Sequence, residues 1–366
     1  MSINLKIIDD FSKEMWEQAV TGFPEANFLQ SWNWGAFQQS LGKRVIRLAW
    51  QETNSQKIVA LAQVVVEKAK RGSYLSLAGG PLLLWSNEVL VQTVFTQLRL
   101  LAHQQHCWFI RFRPQALVTA SKPQEESQEE KVTSWAAGQP AAVIEPKTIR
   151  LIGCRQAPMH LTADLTIQLD LTLTDEELLS QMRKNHRQSI RKATNLGITT
   201  RVSGDENDLN KFYDEQLSLA RRHGFVPFSR EFLTKQFQVF VKENQVILVH
   251  AELDNQLLAS AFVIFYNGEA VYHYGISTEL NQKLPGSYAC QWRVIQEAKA
   301  RGCRRYNLWG VAPKAETNHR FAGVGLFKRG FGGLEVAYLP AQDVVTNNCY
   351  YLTWLFELGR KKFRKL

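Results

Sequence analysis

A chain of 366 residues with 45% hydrophobic and 11% aromatic side chains has material for real cores and a length that favours two domains over one. Its apolar runs are too short to span a bilayer, and residues 1–10 lack the basic start and apolar middle of a signal peptide, so a cytoplasmic protein is expected. The net charge of +10 suits a polyanionic partner, and the five scattered cysteines include no C-x-x-C pair, so neither a metal site nor a disulfide framework is expected.

The first half reads as a strand over 57–66, a turn over 68–72 and a second strand over 73–77. A Gly79-Gly80-Pro81 break then leads to a helix over 87–104 and a short apolar strand over 107–112 that ends at Pro114. Residues 121–146 carry Glu125, Glu126, Glu129 and Glu130 and then a Pro-containing polar stretch, which reads as a flexible insertion.

A strand over 165–171 opens the second half, and Thr174 with Glu177 forms a capping-box signature for a helix over 175–196. Strands follow over 246–253 and 257–266, turning at Asp254-Asn255. A hairpin turn at Asn267-Gly268 leads into a strand over 270–276. A Pro285-Gly286 break precedes a helix over 288–301 that Gly302 stops, and a strand over 304–309 ends near Pro313. Hairpin, loop, helix and strand therefore occur twice, which argues duplication of an α/β unit. The expected division is 1–160, 161–333 and a C-terminal segment, 334–366, whose helix returns to the first unit.

Two helices carry unusual charge. On the helix over 175–196, Leu178, Leu179, Met182, Ser189, Ile190 and Ala193 form an apolar stripe. Arg183, Lys184, His186, Arg187, Arg191 and Lys192 fall largely on the remaining arc. No acidic residue after Glu177 pairs with them, so phosphate binding is favoured over a plain solvated face. The C-terminal helix mixes Tyr351, Leu352, Trp354, Leu355 and Phe356 with Arg360, Lys361, Lys362, Arg364 and Lys365. A membrane-surface helix fits this pattern, and so does packing onto a domain with a solvated basic tip.

Several segments occur in a telling order. They are Phe28-Leu-Gln-Ser-Trp-Asn-Trp34, Arg183-Lys-Asn-His-Arg-Gln-Ser-Ile-Arg-Lys-Ala193, Ala220-Arg-Arg-His-Gly224, Tyr306-Asn-Leu-Trp-Gly-Val-Ala-Pro313, Asn318-His-Arg-Phe-Ala-Gly323 and Phe327-Lys-Arg-Gly-Phe-Gly-Gly333. As an ordered set they resemble the Fem family of non-ribosomal peptidyltransferases, which build interpeptide bridges of bacterial peptidoglycan, over nearly the whole chain.

The resemblance implies two tandem GNAT-like α/β domains, of the compact type without a coiled-coil arm. It implies aminoacyl-tRNA as the donor, with no bound cofactor, and a lipid-linked (lipid II) or UDP-MurNAc-pentapeptide precursor as the acceptor. The residues agree on the donor: neither Lys283-Leu-Pro-Gly-Ser-Tyr288 nor Gly79-Gly-Pro-Leu-Leu-Leu84 carries the Q/R-x-x-G-x-G/A loop that a coenzyme A pyrophosphate needs. A monomer or weak oligomer with peripheral membrane contact is the expected state.

The resemblance also implies that Lys328 acts on the transferred acyl group or the tRNA end, and that Phe327 stacks on a terminal base. The acceptor diphosphate needs cations. After the Trp34 position this chain offers none at once, so Lys43 and Arg44 are the nearest substitutes, with Arg230 in the second unit. Tyr272 and Tyr274 alternate with His273 and are expected to face one side of a strand, lining an acceptor channel or a core. Asn307 and Trp309 end the next strand, where a cleft is expected to open, and His319 is a loop candidate for proton transfer. Arg183, Lys184, Arg187, Arg191 and Lys192 are the expected tRNA contacts. Two rival readings stay open: a GNAT-type acyltransferase with another acceptor, and a non-catalytic RNA- or membrane-binding protein.

Overall fold

The structure is a computed structural model that describes residues 5–69, 72–121, 141–316, 319 and 321–364. The polar insertion expected over 121–146 lies mostly outside these residues, as do Asn318 and Arg320.

The chain begins with β1 (Leu5–Ile8), α1 (Lys13–Thr21), α2 (Trp32–Ser40), β2 (Arg44–Glu52), β3 (Ile58–Ala69), β4 (Gly72–Gly79), β5 (Leu82–Leu83), α3 (Glu88–Gln104), β6 (Phe109–Pro114) and β7 (Leu117–Ser121). The connection holds α4 (Pro146–Ile152) and β8 (Arg155–Gln156). The second half runs β9 (Leu165–Asp170), α5 (Asp175–Gln181), α6 (Lys184–Asn195), β10 (Thr199–Ser203), α7 (Glu206–His223), α8 (Arg230–Val241), β11 (Val246–Leu253), β12 (Gln256–Tyr266), β13 (Glu269–Ser277), α9 (Gly286–Ala300), β14 (Arg305–Gly310), α10 (Ala322–Arg329) and β15 (Leu334–Tyr338). The tail is β16 (Gln342–Val345) and α11 (Tyr350–Arg364).

Two sheets result, in the orders β1-β2-β3-β4-β6-β16-β8 and β10-β11-β12-β13-β14-β9-β15-β7, with β5 beside β3. In each, an antiparallel meander is followed by a helix that crosses back to a parallel strand: β4, α3 and β6 in the first, β13, α9 and β14 in the second. This is the repeat expected from the order of elements. The sheets also exchange strands. β7 pairs with β15 in the second sheet and β16 pairs with β6 in the first, so a cut at residue 160 does not separate them cleanly.

Burial explains the strand sequences. On β12, Ala261, Val263 and Phe265 enter the core under α6 and α9, while Phe262, Ile264 and Tyr266 enter a core shared with the first half. Both faces are covered, so the strand reads as a continuous apolar run. The shared core joins Trp16, Phe28, Phe37 and Leu61 of the first half to Phe212, Phe237, Phe240 and Phe262 of the second. α3 and α4 cover the far face of the first sheet. The layers are thus helices, sheet, shared helices, sheet, helices.

The parallel pairs differ in depth. β4 and β6 stay paired from Tyr74↔Phe109 to Gly79↔Pro114. β13 and β14 pair only from Glu269↔Arg305 to Val271↔Asn307 and then diverge. Only the second sheet therefore opens a notch between its parallel strands.

Candidate active site

Lys328 lies in this notch. It is 7% exposed, its Nζ donates to the Gly310 carbonyl at 2.8 Å, and it stands 5.4 Å from the centre of the Tyr272 ring. Gly310 ends β14 and Tyr272 lies on β13, so the amine sits where the two strands part. Among the described residues no carboxylate pairs with it. Burial pushes the ammonium down to about 7, far from the usual lysine range. A lysine that changes charge near neutral pH is suited to proton transfer or to stabilising developing negative charge.

Two irregularities shape the notch. The register of β12 against β13 shifts between Phe262↔Tyr274 and Val263↔Tyr272, leaving His273 as the extra residue of a bulge. The alternation expected for this strand is therefore broken. Tyr272 packs toward the core beside α9, whereas Tyr274 packs into the shared core against Phe228 and Phe262. The two tyrosines do not face one side. His273 instead joins Tyr274, with ring centres 4.0 Å apart, and burial holds its imidazole neutral, down to about 3.

The second irregularity is at Trp309, whose φ is +59°, a conformation costly for a bulky residue. Asn307 holds it there. Its Oδ1 accepts from the Trp309 N–H at 2.9 Å and from the Thr166 hydroxyl, and its Nδ2 donates to Glu269 at 3.0 Å. With 0% exposure and its amide taken by the protein, Asn307 shapes the cleft wall and does not line an open channel. Trp309 meets Phe28 and His273, each at 5.6 Å, and Trp34 meets the same two rings at 5.5 and 6.3 Å. The structure thus brings Trp34 and Trp309 into one aromatic cluster across the two halves.

The long helix expected over 175–196 is two helices. The Thr174–Glu177 capping box is present, but α5 ends at Gln181 and α6 starts at Lys184. The Arg183 N–H leaves the helical ladder for the Gly330 carbonyl at 2.9 Å, a tertiary bond that no local pattern announces. On α6, His186 is buried and does not belong to the basic arc. Its Nε2 meets the Phe327 carbonyl at 2.9 Å, and its ring is packed by Tyr288, Phe327 and Phe331. Burial lowers its pKa. His186 thereby ties α6 to α10, the helix that carries Lys328. Phe327 is half-buried in this ring cluster, which commits much of the surface expected to stack on a base.

The remaining cations differ in what they are free to do. Lys184, Arg191 and Lys192 are exposed, Arg183 is half-buried, and among the described residues none pairs with a carboxylate. Arg187 is spoken for: its guanidinium donates to the Ser180 and Met182 carbonyls at the end of α5. Arg183 also borders a pocket of about 330 Å³ between α10 and the segment 312–316, where Pro313, Ala322, Leu326 and Arg329 contribute walls.

In the first half, Lys43 pairs with Glu67 at 2.7 Å and Arg44 is exposed. Arg230 pairs with Asp214 at 2.7 Å over the Tyr213 ring, on the outer surface of α8. These three are not brought to Lys328 by any contact. Sequence reading missed Arg47, which is stacked 3.7 Å from the Trp32 ring and donates to Gln63 at 3.0 Å. Burial lowers it to about 10. It reaches α2 from β2, so spacing in the chain gives no sign of it. His319 accepts from the Phe321 N–H at 3.1 Å in its own turn. Among the described residues no cluster of His, Cys, Asp or Glu is placed to hold a metal.

Comparison with known proteins adds to this geometry. The sequence matches the FemAB family over residues 11–257 and 250–351. It is 37% identical over 89 residues to "Aminoacyltransferase FemA" of Staphylococcus aureus, a match covering 24% of this chain and 21% of that protein's length. The fold is similar to a crystal structure of FemX, with a TM-score of 0.78 at 14% identity over 96% of this chain and 100% of that one. It is also similar to a tandem GNAT protein from the clavulanic acid pathway, with a TM-score of 0.51 at 10% identity over 94% and 99% of the two chains. The architecture is that of two tandem GNAT-like domains.

Proposed function

This chain belongs to the FemAB family, and on that premise we propose that it transfers an amino acid from aminoacyl-tRNA to an amine of the stem peptide of a peptidoglycan precursor. The observation that carries this reading is the buried Lys328 amine, held by the Gly310 carbonyl in the notch where β13 and β14 part.

In the proposed reaction a neutral acceptor amine attacks the ester carbon of the donor. An N–C bond forms, the C–O bond to the terminal ribose breaks, and the proton lost by the nitrogen ends on the ribose oxygen. The Lys328 ammonium faces the oxyanion of the tetrahedral intermediate, where a preorganised donor contributes on the order of a hundredfold in rate. The donor's 3′ end enters beside Arg183, because there the basic arc of α6 meets the helix that carries Lys328. The acceptor comes past the aromatic cluster of Trp34 and Trp309.

One local feature supports a donor other than an acyl-coenzyme A. The first turn of α9 is the place where a pyrophosphate would meet backbone N–H groups. Here the Asn281 side chain accepts from the Ser287 N–H at 2.8 Å, and a β-carbon on Gly286 would lie 2.4 Å from Leu258. The Ser287 N–H is thus already satisfied within the chain.

The test supplies mixed aminoacyl-tRNAs with lipid-linked and nucleotide-linked precursors and reads the products by mass. A precursor heavier by one or more aminoacyl groups is the expected result. Acetylation of an acceptor from acetyl-coenzyme A, with no transfer from tRNA, overturns the reading.

A further inference from the structure

α11 is amphipathic in an unusual sense. One stripe, Tyr350, Thr353 and Glu357, is turned inward, with Tyr350 against Phe109 and Glu357 against Arg111 of the first sheet. Arg111 anchors it with paired hydrogen bonds to Asp343 and to Glu357, the latter at 2.7 and 3.0 Å, and Tyr350 adds a bond to Asp343 at 3.0 Å. The opposite arc of a packed surface helix is ordinarily polar. Here it carries Leu352 (67% exposed), Leu355 (62%) and Phe363 (90%), with Tyr351 and Leu358 at its edge.

Among the described residues, the charges that α11 itself turns outward are cationic. Arg360 and Lys362 are exposed on the same helix, and the Arg155 guanidinium lies 5.2 Å over the Tyr351 ring. Glu357, the one acid on α11, is turned inward to Arg111. The outward surface is therefore apolar with a cationic rim.

We infer that this face of α11 docks on an anionic lipid bilayer. Apolar side chains on one arc with arginine and lysine beside them match the acyl boundary and the anionic headgroups of one leaflet. A second copy of the chain fits less well. A symmetric contact would bring two copies of this cationic rim into one interface, on a protein of net charge +10, while Glu357 stays committed to Arg111. No described helix is long and apolar enough to cross a membrane, so the contact is one of lying on the surface. The inference stands apart from the transfer reaction, because binding to lipid needs neither tRNA nor precursor.

The experiment is flotation of the full chain with vesicles of phosphatidylcholine containing phosphatidylglycerol, and with vesicles of phosphatidylcholine alone. Binding to the first and not the second is expected, weakening with salt. The double variant Leu352→Asp/Leu355→Asp should lose binding while keeping the wild-type unfolding temperature, since the inward stripe is untouched. Arg360→Glu/Lys362→Glu should weaken binding by on the order of tenfold to a hundredfold. Failure to bind anionic vesicles, or variants that bind as the wild type does, overturns the inference. So does a concentration-dependent dimer in ultracentrifugation that Leu355→Asp dissolves and that leaves vesicles unbound.

Discussion

The imidazole of His186 occupies the space that a β-carbon on Gly330 would need: such a carbon would lie 1.9 Å from Cε1 and 2.1 Å from Nε2. Gly330 itself is helical, with φ −69°, so its backbone suits any residue and only the histidine demands a glycine. Gly330→Ala is therefore expected to cost about 1–3 kcal/mol by overpacking. In a His186→Ala background the same substitution should cost less than half of that. Denaturant unfolding of the four proteins in the cycle measures the coupling. Additive effects would remove the contact as the reason for the glycine.

Lys328→Met should keep the fold and lose transfer by roughly two orders of magnitude or more in a single-turnover assay. If the lysine only holds tRNA phosphates, apparent donor affinity will weaken and the rate at saturating donor will survive.

The same variant carries a stability signature. In the folded protein Lys328 titrates near 7, against 10.5 in an unfolded chain. Between those values the unfolded chain binds a proton that the folded one does not, so wild-type stability falls as pH drops from about 10.5 to about 7 and this loss is complete below that. Lys328→Met escapes it. Its gain over wild type should be absent at the alkaline end, grow through that window and level off below about 7, with roughly 4–5 kcal/mol as an upper bound. Urea unfolding across this pH range measures it, and a pH-independent difference would mean that the amine is not desolvated.

Asn307→Leu should destabilise the protein by about 1–3 kcal/mol and slow transfer, because it leaves the buried Trp309 N–H without its acceptor and takes one partner from each of Thr166 and Glu269. Trp309 loses the bond that holds its positive φ, so its fluorescence should change as well. Wild-type stability would remove Asn307 from this role.

The basic helix separates into two kinds of cation. Arg191→Glu with Lys192→Glu should flatten the salt dependence of tRNA binding by about two counterions without affecting stability. Arg187→Ala should instead lower stability, since this guanidinium satisfies carbonyls at the end of α5. Unfolding and filter binding over a salt series distinguish them.

What the sequence determined by itself is what local physics sets. Turns at Asp254-Asn255 and Asn267-Gly268 appear as expected, with both asparagines and Asp254 at positive φ. The capping box on α5 is formed, and the duplicated order of hairpin, helix and strand gives two similar sheets. The burial of His186 was also legible, for it falls at helical spacing between Met182, Ile190 and Ala193. Grouping it with the basic residues gave its charge more weight than its position. The tertiary structure alone decided the rest. A one-residue bulge at His273 reverses which face Tyr274 takes, because side-chain direction in a strand has a period of two and an inserted residue shifts every later one. A backbone bond from Arg183 to Gly330 cuts a helix that periodicity would continue. The depth of the notch, the strand exchange through β7 and β16, and the burial that lowers the Lys328 ammonium all depend on neighbours remote in the chain. Hydrogen bonding and desolvation act through space, and residue order records them only where the partners are near.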